Sequence, residues 1–278
     1  MKSKTVEIRQ PKYKMNKIIP VFLLLFLASC GSYQKALKTE DAAVKYKVGE
    51  EMYEMGEYSK AIRLFEQIAP AFRGKPQSEK LFYMFAQSYY KNKQYYLSGY
   101  QFESFVSMYP KSEKVEESAY LGAFSYSKLS PVYSLDQVDT YKAIDKLQNF
   151  INIYPNSTYL PEANQTIKTL REKLEKKAYE VAKQYNTIRD YKAAQIAFNN
   201  FILDYPGTIY KEDAMYYSLD SAYKLAINSV PSKMKERLLL AKESHARFTK
   251  NFSNSEKYKK QADDMLAIIE RDLEQYSK

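Results

Sequence analysis

The 278 residues include one cysteine, Cys30, and one histidine, His245. A zinc-type site needs three or four nitrogen and sulfur ligands and an internal disulfide needs two thiols, so neither chemistry is expected. Cys30 is left as a target for modification from outside. Tyrosine is the group in surplus, at 28 residues, and it binds through a ring face and a polar tip rather than by making bonds. Catalysis finds no foothold. There is no glycine-rich phosphate loop and no nucleophile elbow, and adjacent acids such as Asp263-Asp264 fall on a polar helix face. No enzyme, cofactor or metal is predicted.

The surroundings of Cys30 say which modification to expect. Ile18 to Ala28 is an apolar run that follows Lys12, Lys14 and Lys17 and ends in small residues, the layout of a secretory signal. About ten apolar residues fall short of the roughly 20 a membrane-spanning helix needs, so the segment is expected to be cleaved. Leu27-Ala28-Ser29-Cys30 resembles the lipobox of bacterial lipoproteins, whose N-terminal cysteine carries acyl chains such as palmitate. That implies anchorage to a membrane through Cys30, with residues 1–29 as the signal peptide. Met15-Asn16-Lys17 opens a complete signal on its own, so Met1 and Met15 both stand as starts.

Loss of residues 1–29 removes six bases and the single acid Glu7, which halves the formal net charge of +10. The remaining bases alternate with acids, as in Arg171-Glu172-Lys173 and Glu175-Lys176-Lys177. Such runs make a solvated helix surface rather than a nucleic-acid footprint. Seven glycines, ten prolines and almost no alternating strand pattern predict an all-α chain.

One pattern recurs five times. A small residue is followed four later by an aromatic or Leu, three later by an apolar residue, and then by Tyr-Pro. The clear copies are Ser98, Phe102, Phe105, Tyr109-Pro110; Ala143, Leu147, Phe150, Tyr154-Pro155; and Ala194, Phe198, Phe201, Tyr205-Pro206. Degenerate copies flank them at Ala61, Phe65, Ile68, Phe72-Arg73 and at Ala241, His245, Phe248, Phe252-Ser253. Steps of four, three and four hold one helical face, and the proline stops the helix. Each copy is the second helix of a hairpin, with small residues such as Gly49, Ala86 and Ala182 upstream to let the first helix approach. His245 takes a core position there rather than a ligand role.

Counting back from Pro206 as position 32 puts Phe198 at 24, Ala194 at 20, Tyr185 at 11 and Ala182 at 8, the tetratricopeptide pattern. The expected fold is a solenoid of five helix hairpins closed by a capping helix near Glu256 to Tyr276. Insertions stretch the spacing: 129–134 and 228–231 read as loops, and Pro161 to Asn186 as one unbroken helix. Concave positions of the first two repeats fall on Tyr46, Glu50, Tyr53 and Glu54, and on Tyr83, Gln87, Tyr90 and Lys91. These tyrosines either line one peptide groove or pack between helices; aromatic stripes at helical spacing serve both ends.

Tyr58, Tyr89-Tyr90-Lys91-Asn92, Tyr154-Pro155-Asn156-Ser157-Thr158-Tyr159 and Asp204-Tyr205-Pro206-Gly207-Thr208, standing behind a lipobox, carry a further likeness. Over about Tyr33 to Tyr276 the chain resembles the BamD family, lipoprotein subunits of the BAM complex that folds and inserts outer-membrane β-barrels. The resemblance implies a periplasm-facing scaffold in the outer membrane. Its first repeats receive C-terminal segments of unfolded outer-membrane proteins, and its later repeats dock the POTRA region of BamA beside other subunits. On that basis the chain divides into a tether at 30–42, a substrate-receiving half at 43–114 with Tyr46, Glu50, Tyr53, Tyr83, Gln87 and Tyr90 as groove residues, and a docking half at 115–278. Phe72-Arg73 in place of Tyr-Pro departs from the pattern. Other tetratricopeptide lipoproteins, organising cell-wall or division partners or capturing a soluble glycan, are the competing readings.

Overall fold

The structure is a computed structural model that describes residues 31–276. The signal segment, Met15 and Cys30 therefore lie outside the described residues. Helix α1 covers 31–38. It is followed by α2 (Ala42–Glu54), α3 (Tyr58–Phe72), α4 (Ser78–Lys91), α5 (Tyr95–Met108) and α6 (Val115–Ser127). Then come α7 (Val138–Ile153), α8 (Leu160–Thr187), α9 (Tyr191–Asp204), α10 (Lys211–Ile227), α11 (Pro231–Asn251) and α12 (Lys259–Glu274). No strand occurs among the described residues. The fold is all-α and of tetratricopeptide type, and the long helix, both loops and the final helix fall where the sequence places them.

The described residues form two compact units that divide between Lys128 and Leu129. In the first, α2 packs on α3, α3 on α4, α4 on α5 and α5 on α6, and α2 also touches α4. The second holds α7 on α8, then the hairpins α8–α9 and α10–α11, with α12 against α10 and α11. The first helices of successive hairpins thus make an inner row in each unit. The third repeat contributes α6 to one unit and α7 to the other. This compact division at 128/129 is distinct from the functional halves expected to meet at 114/115.

The small-aromatic-apolar motif is the packing face. Ala61, Ser98, Ala143, Ala194 and Ala241 are fully buried, as are Phe65, Phe102, Leu147 and Phe198, while Phe201 and His245 are buried almost completely. Burying each large apolar side chain contributes about 1.5–3 kcal/mol, so the repeats supply the main driving force. Close approach depends on glycine. A Cβ at Gly49 on α2 would stand 2.7 Å from Phe65 on α3, and one at Gly99 on α5 would stand 2.8 Å from Tyr126 on α6.

Both kinds of turn repeat as well. Between first and second helix of repeats one, two and four, Gly56, Lys93 and Arg189 take φ of 77°, 60° and 66°. In each, the next N–H reaches back five residues: Glu57 to Met52 at 2.8 Å, Gln94 to Tyr89 at 2.9 Å, Asp190 to Tyr185 at 3.0 Å. This is the left-handed closure that satisfies the last helical carbonyls. After the second helices, Ser112, Ser157, Thr208 and Ser255 are buried. Their hydroxyls accept the N–H of Lys114, Tyr159, Tyr210 and Tyr258 at 3.0, 3.1, 3.2 and 2.9 Å. Helix α2 is capped separately by Asp41, which accepts from Ala43 N–H at 2.8 Å.

Within the stretch expected as tether, α1 is docked: Tyr33 and Ala36 are buried in the core of the first hairpin.

Candidate functional site

The inner row of the first unit gathers the predicted groove residues. Residues 46, 50 and 53 share one face of α2, and 80, 83 and 87 one face of α4, by steps of three and four. Lys80 pairs with Glu50, joining the helices. The Tyr83 hydroxyl donates to Glu117 Oε1 on α6 at 2.8 Å and accepts from Gln87 Nε2 at 2.9 Å. Lys114 pairs with Glu117 at 3.1 Å and sits 5.4 Å over the Tyr83 ring. The result is a polar belt across α2, α4 and α6 with aromatic faces set into it.

A cleft of about 530 Å³ opens beside this belt, lined by Tyr53, Glu54, Glu79, Lys80, Tyr83 and Lys114 among others. Tyr53 and Tyr83 are half-buried at its wall. Burial is the main reason the phenol of each is held above its ordinary pKa, with Tyr58 and Glu117 adding to the effect at Tyr53 and Glu117 at Tyr83. Tyr46 does not reach the cleft: its ring stacks on Phe72 at 5.3 Å and 12°. Its phenol is raised by burial and then by Glu50, with Lys80 pulling the other way. Tyr90 sits at the end of α4, edge-on to Tyr95 at 5.9 Å. Gln87 is buried, spent on Tyr83.

All four tyrosines pack on a ring of their own hairpin, Tyr53 on Tyr58 and Tyr83 on Phe105 included, and of the four Tyr53 and Tyr83 also line the cleft. Lys80, Lys114 and Glu117 complete the site and escaped the sequence reading. Lys80 stands three residues before Tyr83 on the same face, a signal that was there to be used. Glu117 sits on α6, whose register cannot be counted back from Ala143 through the insertion.

Among the described residues no group of three His, Cys, Asp or Glu side chains is placed to hold a metal ion, and no helix is long and apolar enough to cross a membrane. His245 lies 3.5 Å from Asp263 on the capping helix.

Residues 38–239 match the family model described as YfiO, outer membrane lipoprotein. The chain is 22% identical over 215 residues to an outer membrane protein assembly factor BamD of Caulobacter vibrioides, covering 76% of this chain and 70% of that one. It is 23% identical to the Rickettsia prowazekii protein of the same name, over 79% of this chain and 89% of the relative. A solved putative kinesin light chain of Podosopora anserina with TPR-like repeats is also similar, at 16% identity over 74% of this chain and 95% of that one, with a TM-score of 0.30. The repeat fold itself rests on the hairpins and turns above. With the family model spanning most of the chain, this protein belongs to the YfiO family of outer membrane lipoproteins.

Proposed function

We propose that the chain is a lipid-anchored, non-catalytic scaffold of outer-membrane protein assembly. It is held to the periplasmic face of the outer membrane through Cys30, receives the C-terminal segments of unfolded β-barrel proteins on its first repeats, and docks the BamA POTRA region through residues 115–278. Relatives that carry the name outer membrane protein assembly factor support the setting. The observation that carries the receiving role is the first-unit cleft, where the Tyr53 and Tyr83 rings stand beside the Lys80 and Lys114 ammonium groups. Rings offer area at low entropic cost to an aromatic side chain, and the lysines offer a counter-charge to a terminal carboxylate.

Both lysines are exposed and already paired, to the half-buried Glu50 and Glu117. Exposed pairs are worth about 0–1 kcal/mol, so exchanging a glutamate for a ligand carboxylate costs little. The test is titration of a fluorescent peptide ending in Phe with a free carboxylate, and of its amide. Tyr53→Ala combined with Lys80→Ala should weaken the free acid about tenfold or more and narrow its advantage over the amide. Equal affinity of variant and wild type overturns the receiving role. Cys30→Ser should release the protein from membranes; an unmodified mature Cys30 by mass spectrometry overturns the anchor. Loss of BamA on purification in mild detergent would remove the docking role.

A further inference from the structure

The second unit has a larger cleft, of about 920 Å³, along the N-terminal half of α8. Its floor includes Ile167, Lys168 and Arg171, and its two lips are loops that present aliphatic side chains to solvent: Val132 at 63% exposure and Ile209 at 84%. Single exposed aliphatics are ordinary. These two, however, stand on backbone that is pinned.

One lip is the insertion 128–137, fastened to α8 by three lysines. Lys173 Nζ donates to Ser130 Oγ at 2.6 Å, Lys177 Nζ donates to the Leu135 carbonyl at 2.6 Å, and Lys176 lies 4.4 Å over the Tyr133 ring. Gln137 Nε2 donates to the Val132 carbonyl at 2.9 Å from below. The other lip is the turn before α10. There Thr208 is buried and accepts the Tyr210 N–H, and Tyr210 stacks on Tyr179 at 4.8 Å and 11°. Ile209 is thereby held outward between two fixed neighbours.

The floor carries an excess of positive charge. Four bases, Lys168, Arg171, Lys173 and Lys176, line the cleft against two acids, Glu172 and Glu175. Lys168 pairs with Glu172 at 3.9 Å, a long and exposed contact, and Arg171 is exposed beside it. A guanidinium so placed is a fork for a carboxylate. The outward Val132 and Ile209 side chains and the exposed Arg171 bury no core of their own.

We infer that this cleft binds a polypeptide segment of a partner protein in which Asp or Glu alternates with aliphatic or aromatic residues, the carboxylates going to Arg171 and the apolar side chains to Val132 and Ile209. Rigid lips cut the ordering cost of such binding. The inference holds whichever protein the docking half meets, and the first-unit cleft takes no part in it.

The test uses the full chain and a fluorescein-labelled peptide in which Asp and Glu alternate with Leu and Phe, beside the same peptide with Asn and Gln in place of the acids. The acidic peptide should bind saturably and weaken with added salt, and the amide version should bind about tenfold less well. Arg171→Glu should cost about tenfold and Ile209→Ser several-fold, both with unchanged melting curves, whereas Tyr53→Ala should leave affinity as it was. Equal binding of the two peptides, indifference to Arg171→Glu, or loss with Tyr53→Ala overturns the assignment. So does full displacement of the peptide by phosphatidylglycerol vesicles, which would make the cleft a lipid site. Failure of these titrations with BamA co-purification intact removes this cleft alone.

Discussion

The Tyr83 hydroxyl on α4 donates to the Glu117 carboxylate on α6 at 2.8 Å, bridging two inner helices of the first unit beside its cleft. Removing only that hydroxyl, in Tyr83→Phe, leaves buried Gln87 without its acceptor and should cost about 1–2 kcal/mol, read by urea unfolding. Tyr83→Phe should also bind the C-terminal peptide nearly as well as wild type, since the ring face stays.

Gly49 and Gly99 answer to steric limits. Alanine at Gly49 would meet the Phe65 ring at 2.7 Å and alanine at Gly99 the Tyr126 ring at 2.8 Å, both rings being buried. Helix propensity favours alanine by up to about 1 kcal/mol, yet overpacking costs about 1–3 kcal/mol. Both substitutions should lower the urea midpoint. Gly207→Ala, with nothing within 4 Å of its Cβ, should not.

Lys93 and Arg189 occupy the left-handed position that Gly56 fills in repeat one. Side chains pay about 1–2 kcal/mol for that conformation, part of which glycine returns to the flexible unfolded chain. Lys93→Gly and Arg189→Gly should each stabilise by about 0.5–1 kcal/mol, measured by thermal and urea unfolding.

Many phenols are held neutral by burial. Tyr126 is pushed up to about 12, by burial and then by Glu103, and Tyr216 to about 12, by burial and then by Asp220. A folded-state pKa above the ordinary 10.0 means the unfolded chain loses its proton first. This contribution to stability is full below pH 10.0 and is lost as pH rises toward 12. Urea midpoints should fall between about pH 10 and pH 12, in step with tyrosinate absorbance. A midpoint that stays level across that range would contradict the burial of these rings.

Lys173→Met together with Lys177→Met should loosen the 128–137 loop by removing the bonds to Ser130 and to the Leu135 carbonyl, both at 2.6 Å. Limited proteolysis should then cut within the loop while the rest of the chain melts as before.

The hairpin cores were legible because one face repeats the same residue types: Ala61, Phe65 and Ile68 read like Ala194, Phe198 and Phe201, and all are buried. The first-to-second-helix turns were not, since Gly56, Lys93 and Arg189 share a backbone conformation and no side-chain character. The serine or threonine three residues after the closing Tyr or Phe of repeats two to five, as in Tyr109 to Ser112 and Tyr205 to Thr208, is a sequence signal of the second kind of turn that repeat one, with Lys75, lacks. Because each of these turns closes its own hydrogen bonds, the stretch between them can vary in length. That explains how motif spacings from 37 to 51 residues fit one architecture. At the cleft, repeat counting found Tyr53 and Tyr83 but could not separate them from Tyr46 and Tyr90. The difference lies in which residues close the cleft: Pro76, Glu79 and Lys114 stand with Tyr53 and Tyr83 around it, and not with Tyr46 or Tyr90.

Tyr33 is buried in the core of the first hairpin, and only two residues separate it from Cys30. Three peptide links reach about 10 Å at full stretch. With the lipid proposed for Cys30, the leash would be shorter than one helix is thick, and the first repeat would ride at the bilayer surface. A substrate segment arriving at the Tyr53 cleft would be caught next to the membrane it is to enter.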